Sequence, residues 1–381
     1  MKFPWTIVAI MVTSSFYAAT PTHATTSAAT TAAPTSWKLH TEEQLQDRIA
    51  KITLPFEARY NHEVRDLIKD YVTAGYKDTE VMLGRSVLYF PIFDHFLSAY
   101  QLPAELKYLA IVESGLRPAV ESPVGAAGLW QFMPYTGRQY GLTIDGQVDE
   151  RKDAYKATEA AVKMMSELYA QFNDWALVLA AYNCGAGRVR KAIRAAGGKN
   201  SFWDIKPFLP GQTQKYVPTY IAVAYVANYY QTHNLQPRFS SFDFGDVRGV
   251  RVYQRVSFNE IASKCNVSTQ HLRLLNPGFT QQFVPSSATG NFLLLPTEAA
   301  KSFAQQINAK VDLRNTNTLA APLNTFKNDY VVRAGDRIEE LASRFKCSVR
   351  DIMRWNDLTL PDLFVHQQLV VYLNKPMSKR A

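Results

Sequence analysis

The stretch PAELKYLAIVESGLRPAVESPVGAAGLWQFMPYTGRQYG, residues 103–141, decides how the rest of the chain is read. Its first half predicts a helix. Pro103 suits a first helical turn, where its missing N–H costs nothing. Leu102, Leu106, Leu109 and Glu113 recur at i, i+4, i+7 and i+11, which is one helical stripe. A carboxylate therefore stands where the pattern asks for a core residue. Gly115 and Pro118 close the helix just beyond it, placing Glu113 in the last turn, at the negative end of the helix dipole. Apolar surroundings and that dipole both disfavour the charged form and raise the pKa. A glutamic acid still protonated near neutral pH is what a general acid must be. The same pattern also fits a buried Glu paired with an arginine such as Arg117.

The second half adds a different chemistry. Gly125, Gly128 and the small residues between them allow close backbone approach. Gln131 brings an amide that both donates and accepts, and Trp130, Phe132 and Met133 bring an aromatic and thioether surface. Small backbone, amide and aromatics beside a lone acid suit a sugar better than a charged ligand. Taken singly, Trp130, Phe132 and Met133 each also fit an ordinary core position.

Three segments carry a family resemblance: ESGLRP (113–118), SPVGAAGLWQFMP (122–134) and AAYNCGAG (180–187). In this order and spacing they resemble the lytic transglycosylases of peptidoglycan, and among them the membrane-bound lytic murein transglycosylase D group. The resemblance covers roughly residues 85–230. It implies an α+β multidomain chain whose lysozyme-like catalytic domain is mainly helical. It implies Glu113 as the catalytic acid, with Ser114, Ser122, Gly128, Gln131, Met133, Tyr182, Asn183 and Tyr216 around the substrate. Tyr216 matches the tyrosine of the family's Glu-Thr…Tyr-Val-Pro motif, whose Glu is Gln212 here.

The implied reaction cleaves the β-1,4 bond between N-acetylmuramic acid and N-acetylglucosamine without water, leaving 1,6-anhydromuramoyl ends. Ordinary glycosidases pair two carboxylates, whereas a substrate whose own N-acetyl group assists needs one. No metal or cofactor is expected. One alternative is a muramidase hydrolysing the same bond, with Glu121, Asp145 or Asp149 as its second acid. Another is a wall-binding protein without catalysis.

Residues 1–24 read as a secretory signal, with Lys2, an apolar run and a Thr22-His23-Ala24 cleavage site; no Cys lies nearby to take a lipid anchor. This predicts a soluble exported protein of the periplasm or cell envelope, acting as a monomer. Residues 25–40 are a Thr/Ala/Ser-rich linker, and 41–100 carry a helical periodicity that leads into the catalytic domain at 101–230. Asp145, Asp149, Glu150 and Asp153 form an acidic cluster whose spacing fails the calcium-loop pattern; caps and loop contacts are the better reading. Helices are predicted over 159–172, 175–182, 189–196 and 216–230. The net charge of +9 is scattered, without a basic stripe, which argues for an anionic polymer such as the cell wall rather than nucleic acid.

After a linker at 231–250, two similar segments follow. The second, residues 328–374, reads strand, Gly335-Asp336, two short helices, Asn356 and a closing strand. It resembles the LysM module, a β-α-α-β fold that binds N-acetylglucosamine chains, and the resemblance implies glycan contacts at Gly335, Asp336 and Asn356. Residues 251–296 repeat the order without the Gly-Asp turn, as a degenerate copy; 297–327 read as a further linker. Cys184, Cys265 and Cys347 fit neither a zinc motif nor a disulfide framework.

Overall fold

The computed structural model describes residues 37, 40–238, 247–288, 290–306, 325–331, 337–345, 347, 349–356, 363 and 368–374. The signal at 1–24 and most of the linker up to residue 40 lie outside them. The described residues fall into two compact units: those within Met1–Leu83, Phe93–Arg238 and Pro277–Gln281, and those within Gly84–Ile92, Phe239–Asn276 and Gln282–Ala381.

The first unit is helical. Helices α1 (Glu42–Ala50), α2 (His62–Val72) and α3 (Tyr76–Ala99, which divides between the units) lead in. Then come α4 (Tyr108–Ser114), α5 (Pro134–Gln139), α6 (Ala154–Phe172), α7 (Trp175–Cys184), α8 (Ala186–Ala195), α9 (Phe202–Ile205) and α10 (Gly211–Tyr229). Polar caps set the starts: Thr41 closes a capping box on α1, Asn61 caps α2, Asp153 caps α6 and Asp174 caps α7.

The unit is organised about α10. Val217, Tyr220, Ile221, Ala222, Val223, Ala224, Tyr225 and Val226 are all buried, so this helix is apolar on every side rather than along one stripe. It packs against α2, α4 and α7. Tyr108, Leu109, Ala110 and Ile111 of α4 are likewise consecutive and buried, which puts the Glu113 helix inside the unit.

Several boundaries differ from the sequence expectation. Pro103 opens a 3₁₀ turn, Ala104–Lys107, before α4, so the regular helical stripe begins one turn late. Asp153 starts α6 at Ala154 rather than at residue 159, and Thr158 is buried inside that helix. α7 continues through Cys184, α8 begins at Ala186, and α10 begins five residues before Tyr216.

The end of the unit is closed by histidines. A 3₁₀ turn, Tyr230–His233, follows α10, so the linker expected from residue 231 begins later. His233 is fully buried; its Nε2 meets the Tyr225 hydroxyl at 2.9 Å, and the His40 ring stacks edge-on at 4.4 Å. Burial, together with His40 and Arg48, pushes the His233 pKa down to about 3. Above pH 6.5 both folded and unfolded states leave this ring neutral; below it only the unfolded state takes the proton, so acid destabilises the fold. By pH 5 this one group is expected to remove about 2 kcal/mol. Thermal melts at pH 7 and pH 5 test it: the drop in melting temperature should shrink in a His233→Phe variant.

The second unit holds two β-α-α-β arrangements. In the first, β1 (Val247–Val252) and β2 (Val256–Ser257) precede α11 (Phe258–Cys265) and α12 (Thr269–Leu275); β3 (Phe283–Val284), β4 (Asn291–Pro296) and α13 (Thr297–Gln306) follow. β1 pairs antiparallel with β4, Val250 opposite Leu293. Helix α13, with Phe303 buried, occupies residues that the sequence suggested were linker. In the second, β5 (Thr325–Val331) and β6 (Gln368–Asn374) pair antiparallel around α14 (Ile338–Arg344) and α15 (Val349–Trp355). Ile338, Leu341, Ile352, Leu369 and Val371 form its core. No helix among the described residues is long and apolar enough to cross a membrane.

Candidate active site

Glu113 occupies the last turn of α4, half-buried. Gly115 ends that helix in the left-handed region, φ +58°, and its N–H donates to the Ile111 carbonyl at 2.8 Å. Ser114 beside it is buried, and its hydroxyl reaches the carbonyls of Ala110 (3.0 Å) and Leu129 (2.9 Å). The acid's helix is thereby tied to the glycine-rich loop.

The ion-pair reading of Glu113 does not hold. Arg117 is exposed and its Nε donates to the Ser114 carbonyl at 2.9 Å. The partner of Glu113 is instead the Tyr216 hydroxyl, which donates to Oε1. Burial raises the Glu113 pKa to about 7, and the Tyr216 bond pulls the other way without cancelling it. Burial and the charge of Glu113 push the phenols of Tyr182 and Tyr216 well above their ordinary value. One acid and two neutral tyrosines therefore share a site.

The loop 120–133 folds on itself through antiparallel bridges Glu121↔Ala127 and Ala127↔Phe132. The Ser122 hydroxyl accepts from the Ala126 N–H at 2.9 Å and braces the turn. Gln131 has φ +48°; its Nε2 donates to the Gly128 carbonyl at 2.9 Å, while its Oε1 has no partner among the described residues. The Tyr182 hydroxyl donates to the Trp130 carbonyl at 2.9 Å, and the Phe132 ring lies 6.3 Å from the Tyr182 ring. Met133 is 40% exposed, just ahead of α5. Asn183 lies on the last turn of α7 and accepts from the Thr213 hydroxyl at 2.7 Å.

For two of the three aromatic and thioether residues the core reading holds. Trp130 is completely buried, with its indole N–H on Thr158 at 2.9 Å and its ring 4.9 Å from that of Phe93. Phe132 is buried as well. An indole whose single donor is satisfied inside the core cannot offer a face to a sugar, so Met133 alone of the three is exposed.

Arg151, which sequence reasoning missed, braces the loop. It is buried, and Nη1 donates to the carbonyls of Gly125 (2.5 Å) and Phe132 (3.1 Å), pinning two points of the loop. Its other face makes a bidentate pair with Asp149, at 2.9 and 2.7 Å. The signal was present as a basic residue inside an acidic run, Asp149-Glu150-Arg151.

The acidic cluster is structural. Asp149 pairs with Arg151, Asp145 accepts from the N–H groups of Gln147 and Val148, Glu150 accepts from Thr143, and Asp153 caps α6. Glu121 pairs with Lys152 at 3.0 Å. The three candidate second acids thus each have another partner. Asp149 also takes part in pairing with the segment Pro277–Gln281: its N–H donates to the Gly278 carbonyl at 2.8 Å. Among the described residues no cluster suits a metal ion. The Cys184 thiol is raised by burial, which disfavours a thiolate nucleophile.

Gly335 and Asp336 lie outside the described residues. Asn356 donates from its amide to the Ile352 carbonyl at 2.8 Å, and Asn276 in the first copy does the same to Leu272 while exchanging two bonds with Leu294. The shared asparagine is a helix-end tie in both copies.

The family model of the transglycosylase SLT domain matches residues 94–204. The MltD-type LysM-like domain model matches 246–311 and the LysM model 330–371. The membrane-bound lytic murein transglycosylase D of Escherichia coli (strain K12) is 32% identical over 277 residues, covering 71% of this chain and 60% of that protein. The soluble lytic murein transglycosylase of the same strain is 28% identical over 43% of this chain and 27% of its own. A crystal structure of the 70 kDa soluble lytic transglycosylase from Escherichia coli superposes with a TM-score of 0.36 at 23% identity, over 46% of this chain and 30% of that one. The chain therefore spans 60% of the length of its curated transglycosylase D relative.

The SLT domain holds Glu113 and Tyr182, while Tyr216 follows just beyond its matched range. Tyr216→Phe removes the one hydrogen bond that lowers the Glu113 pKa. The carboxyl should then hold its proton to higher pH, and the alkaline limb of any Glu113-dependent activity should move up. A pH–rate profile checks the direction.

Proposed function

We propose that the chain cleaves the glycan strands of peptidoglycan at the N-acetylmuramic acid–N-acetylglucosamine bond by intramolecular transglycosylation, leaving 1,6-anhydromuramoyl ends. The observation that carries this reading is Glu113: a half-buried carboxyl with a pKa of about 7, bonded to a tyrosine, while Glu121, Asp145 and Asp149 are engaged elsewhere. A neutral Glu113 donates its proton to the glycosidic oxygen. The substrate's N-acetyl carbonyl stabilises the anomeric carbon in place of a second carboxylate. The resulting carboxylate then takes the proton of the C6 hydroxyl as that oxygen closes on the anomeric carbon. Gln131 offers its unpartnered carbonyl end, and Tyr182 and Met133 line the approach.

The relatives' names and the SLT domain support the substrate class. Export to the cell envelope follows from that substrate, and the apolar run at residues 3–19 agrees with it. Mass spectrometry of digested sacculi is the test. Anhydro ends support the reading; reducing ends would assign a hydrolase, and no products a binding protein.

The LysM segment at 330–371 adds a second hold on the same polymer. Deleting residues 325–381 should weaken co-sedimentation with insoluble peptidoglycan and leave turnover of soluble glycan fragments nearly unchanged, because the module raises local concentration without touching the acid. Equal sedimentation of both forms would refute it.

A further inference from the structure

Helix α8 breaks the charge pattern of the other helices. Val189 and Ala192 are buried, and its outward side carries Arg188, Arg190, Lys191 and Arg194, all exposed. The helix has no acidic residue. By contrast, α1, α6, α11 and α13 each pair a lysine with an acid of their own three or four residues away. In α8 those spacings join like charges: Arg188 with Lys191, Lys191 with Arg194, and Arg190 with Arg194. Arg188 also stands in the first turn, at the positive end of the helix dipole. Arg190 donates to the Gln171 amide oxygen at 2.8 Å and Arg188 to the Cys184 carbonyl at 3.3 Å, both neutral acceptors. Among the described residues none of the four forms an ion pair; Asp204 of neighbouring α9 faces Lys199 instead, at 3.7 Å. Charge that looks scattered along the sequence is thus gathered on one helical face, at a cost to the helix that nothing among the described residues offsets.

We propose that the outward face of α8 binds the carboxylates of peptidoglycan. The choice of polymer rests on the reading of the chain as a peptidoglycan-cleaving enzyme. Three of the four cations are arginines, whose planar fork matches a carboxylate with two parallel hydrogen bonds. Intact strands carry free carboxylates on their stem peptides. Strands stripped of peptide carry them on the lactyl group of N-acetylmuramic acid, and the sugars are otherwise neutral. Spread, exposed cations suit such a repeating anion better than one small ligand. The face holds the polymer and takes no part in the chemistry at Glu113.

The test is co-sedimentation of the full chain with sacculi at low salt. Arg190→Gln, Lys191→Gln and Arg194→Gln, combined, remove the charge and keep good helix formers. This variant should bind intact sacculi about tenfold more weakly, each exposed pair contributing a few-fold, with kcat on soluble strands unchanged. Its melting temperature should be equal or higher, because like-charge repulsion is relieved. Arg190→Lys with Arg194→Lys should keep most of the binding. Wild-type binding should fall steeply with added salt, and that of the Gln variant should fall less. Sacculi whose carboxylates have been converted to amides should hold both forms alike. Peptide-stripped strands separate the two sources: a difference kept there assigns the lactyl carboxylate, and one lost there assigns the stem peptides. Equal binding of both forms to intact sacculi overturns the proposal, as does a difference that persists undiminished on the amidated ones. A difference seen on vesicles of phosphatidylglycerol and phosphatidylcholine but not on sacculi overturns it too, and assigns the face to a membrane surface. If the wild-type chain releases no products, the cleavage reading fails by itself, and the binding comparison still decides the role of α8.

Discussion

Glu113→Gln is expected to fold normally and to lose at least about 10³-fold of its rate, equivalent to about 4 kcal/mol of barrier. The amide keeps the size of the carboxyl, and its oxygen still accepts from Tyr216, so the packing of α4 on α10 has no reason to change. What disappears is the titrating proton. In the wild-type chain that proton is lost near pH 7, because burial raises the Glu113 pKa to about 7. Activity should therefore fall on the alkaline side, and the Gln variant should show no such limb in whatever activity remains. Circular dichroism and a muropeptide release assay together check this. More than about a tenth of wild-type activity in a well-folded variant would mean that the acid lies elsewhere.

The second large effect concerns Gly128→Ala. A Cβ built there falls 1.7 Å from the Arg151 carbonyl oxygen and 2.6 Å from its carbon, with φ at +84°. The obstacle is backbone, and Arg151 is anchored by its bonds to Asp149, Gly125 and Phe132, so it cannot swing aside. A loss of about 3 kcal/mol or more in stability is expected, with activity reduced at least about 100-fold as the loop is forced off α4. Gly125→Ala is the control. It has a similar φ of +85°, but nothing lies within 4 Å of its Cβ, so only about 1 kcal/mol of backbone strain is expected. Chemical denaturation of both variants measures the difference. Equal behaviour would show that the Arg151 contact does not constrain the loop.

How far the sequence reveals this arrangement depends on the kind of contact involved. Glu113 is legible because a charge interrupts an apolar stripe just before Gly115, and the structure keeps both features. Among the acids read as caps or loop contacts, Asp153 does cap α6, and it is legible because capping is local. The 3₁₀ turn at Ala104–Lys107 is not, since its residues suit an ordinary helical turn equally well. Trp130 stands between two readings in the sequence, sugar surface and core, and Thr158, 28 residues away, decides for core. Arg151 and Thr213 are hidden for the same reason: their partners, Gly125, Phe132 and Asn183, are distant in sequence. Helix α13 could have been found, because Ala299, Ala300 and Phe303 repeat on one face after Thr297.

The bond from Tyr216 to Glu113 has a geometric corollary. Because Oε1 is the oxygen that accepts from the tyrosine, the proton of the neutral acid belongs on Oε2. Delivery then has a fixed handedness. An oxygen that takes this proton must come to the Oε2 edge of the carboxyl group, because the Oε1 edge already holds the phenol. A single tyrosine hydroxyl thus decides which of the two carboxyl oxygens can act as the acid.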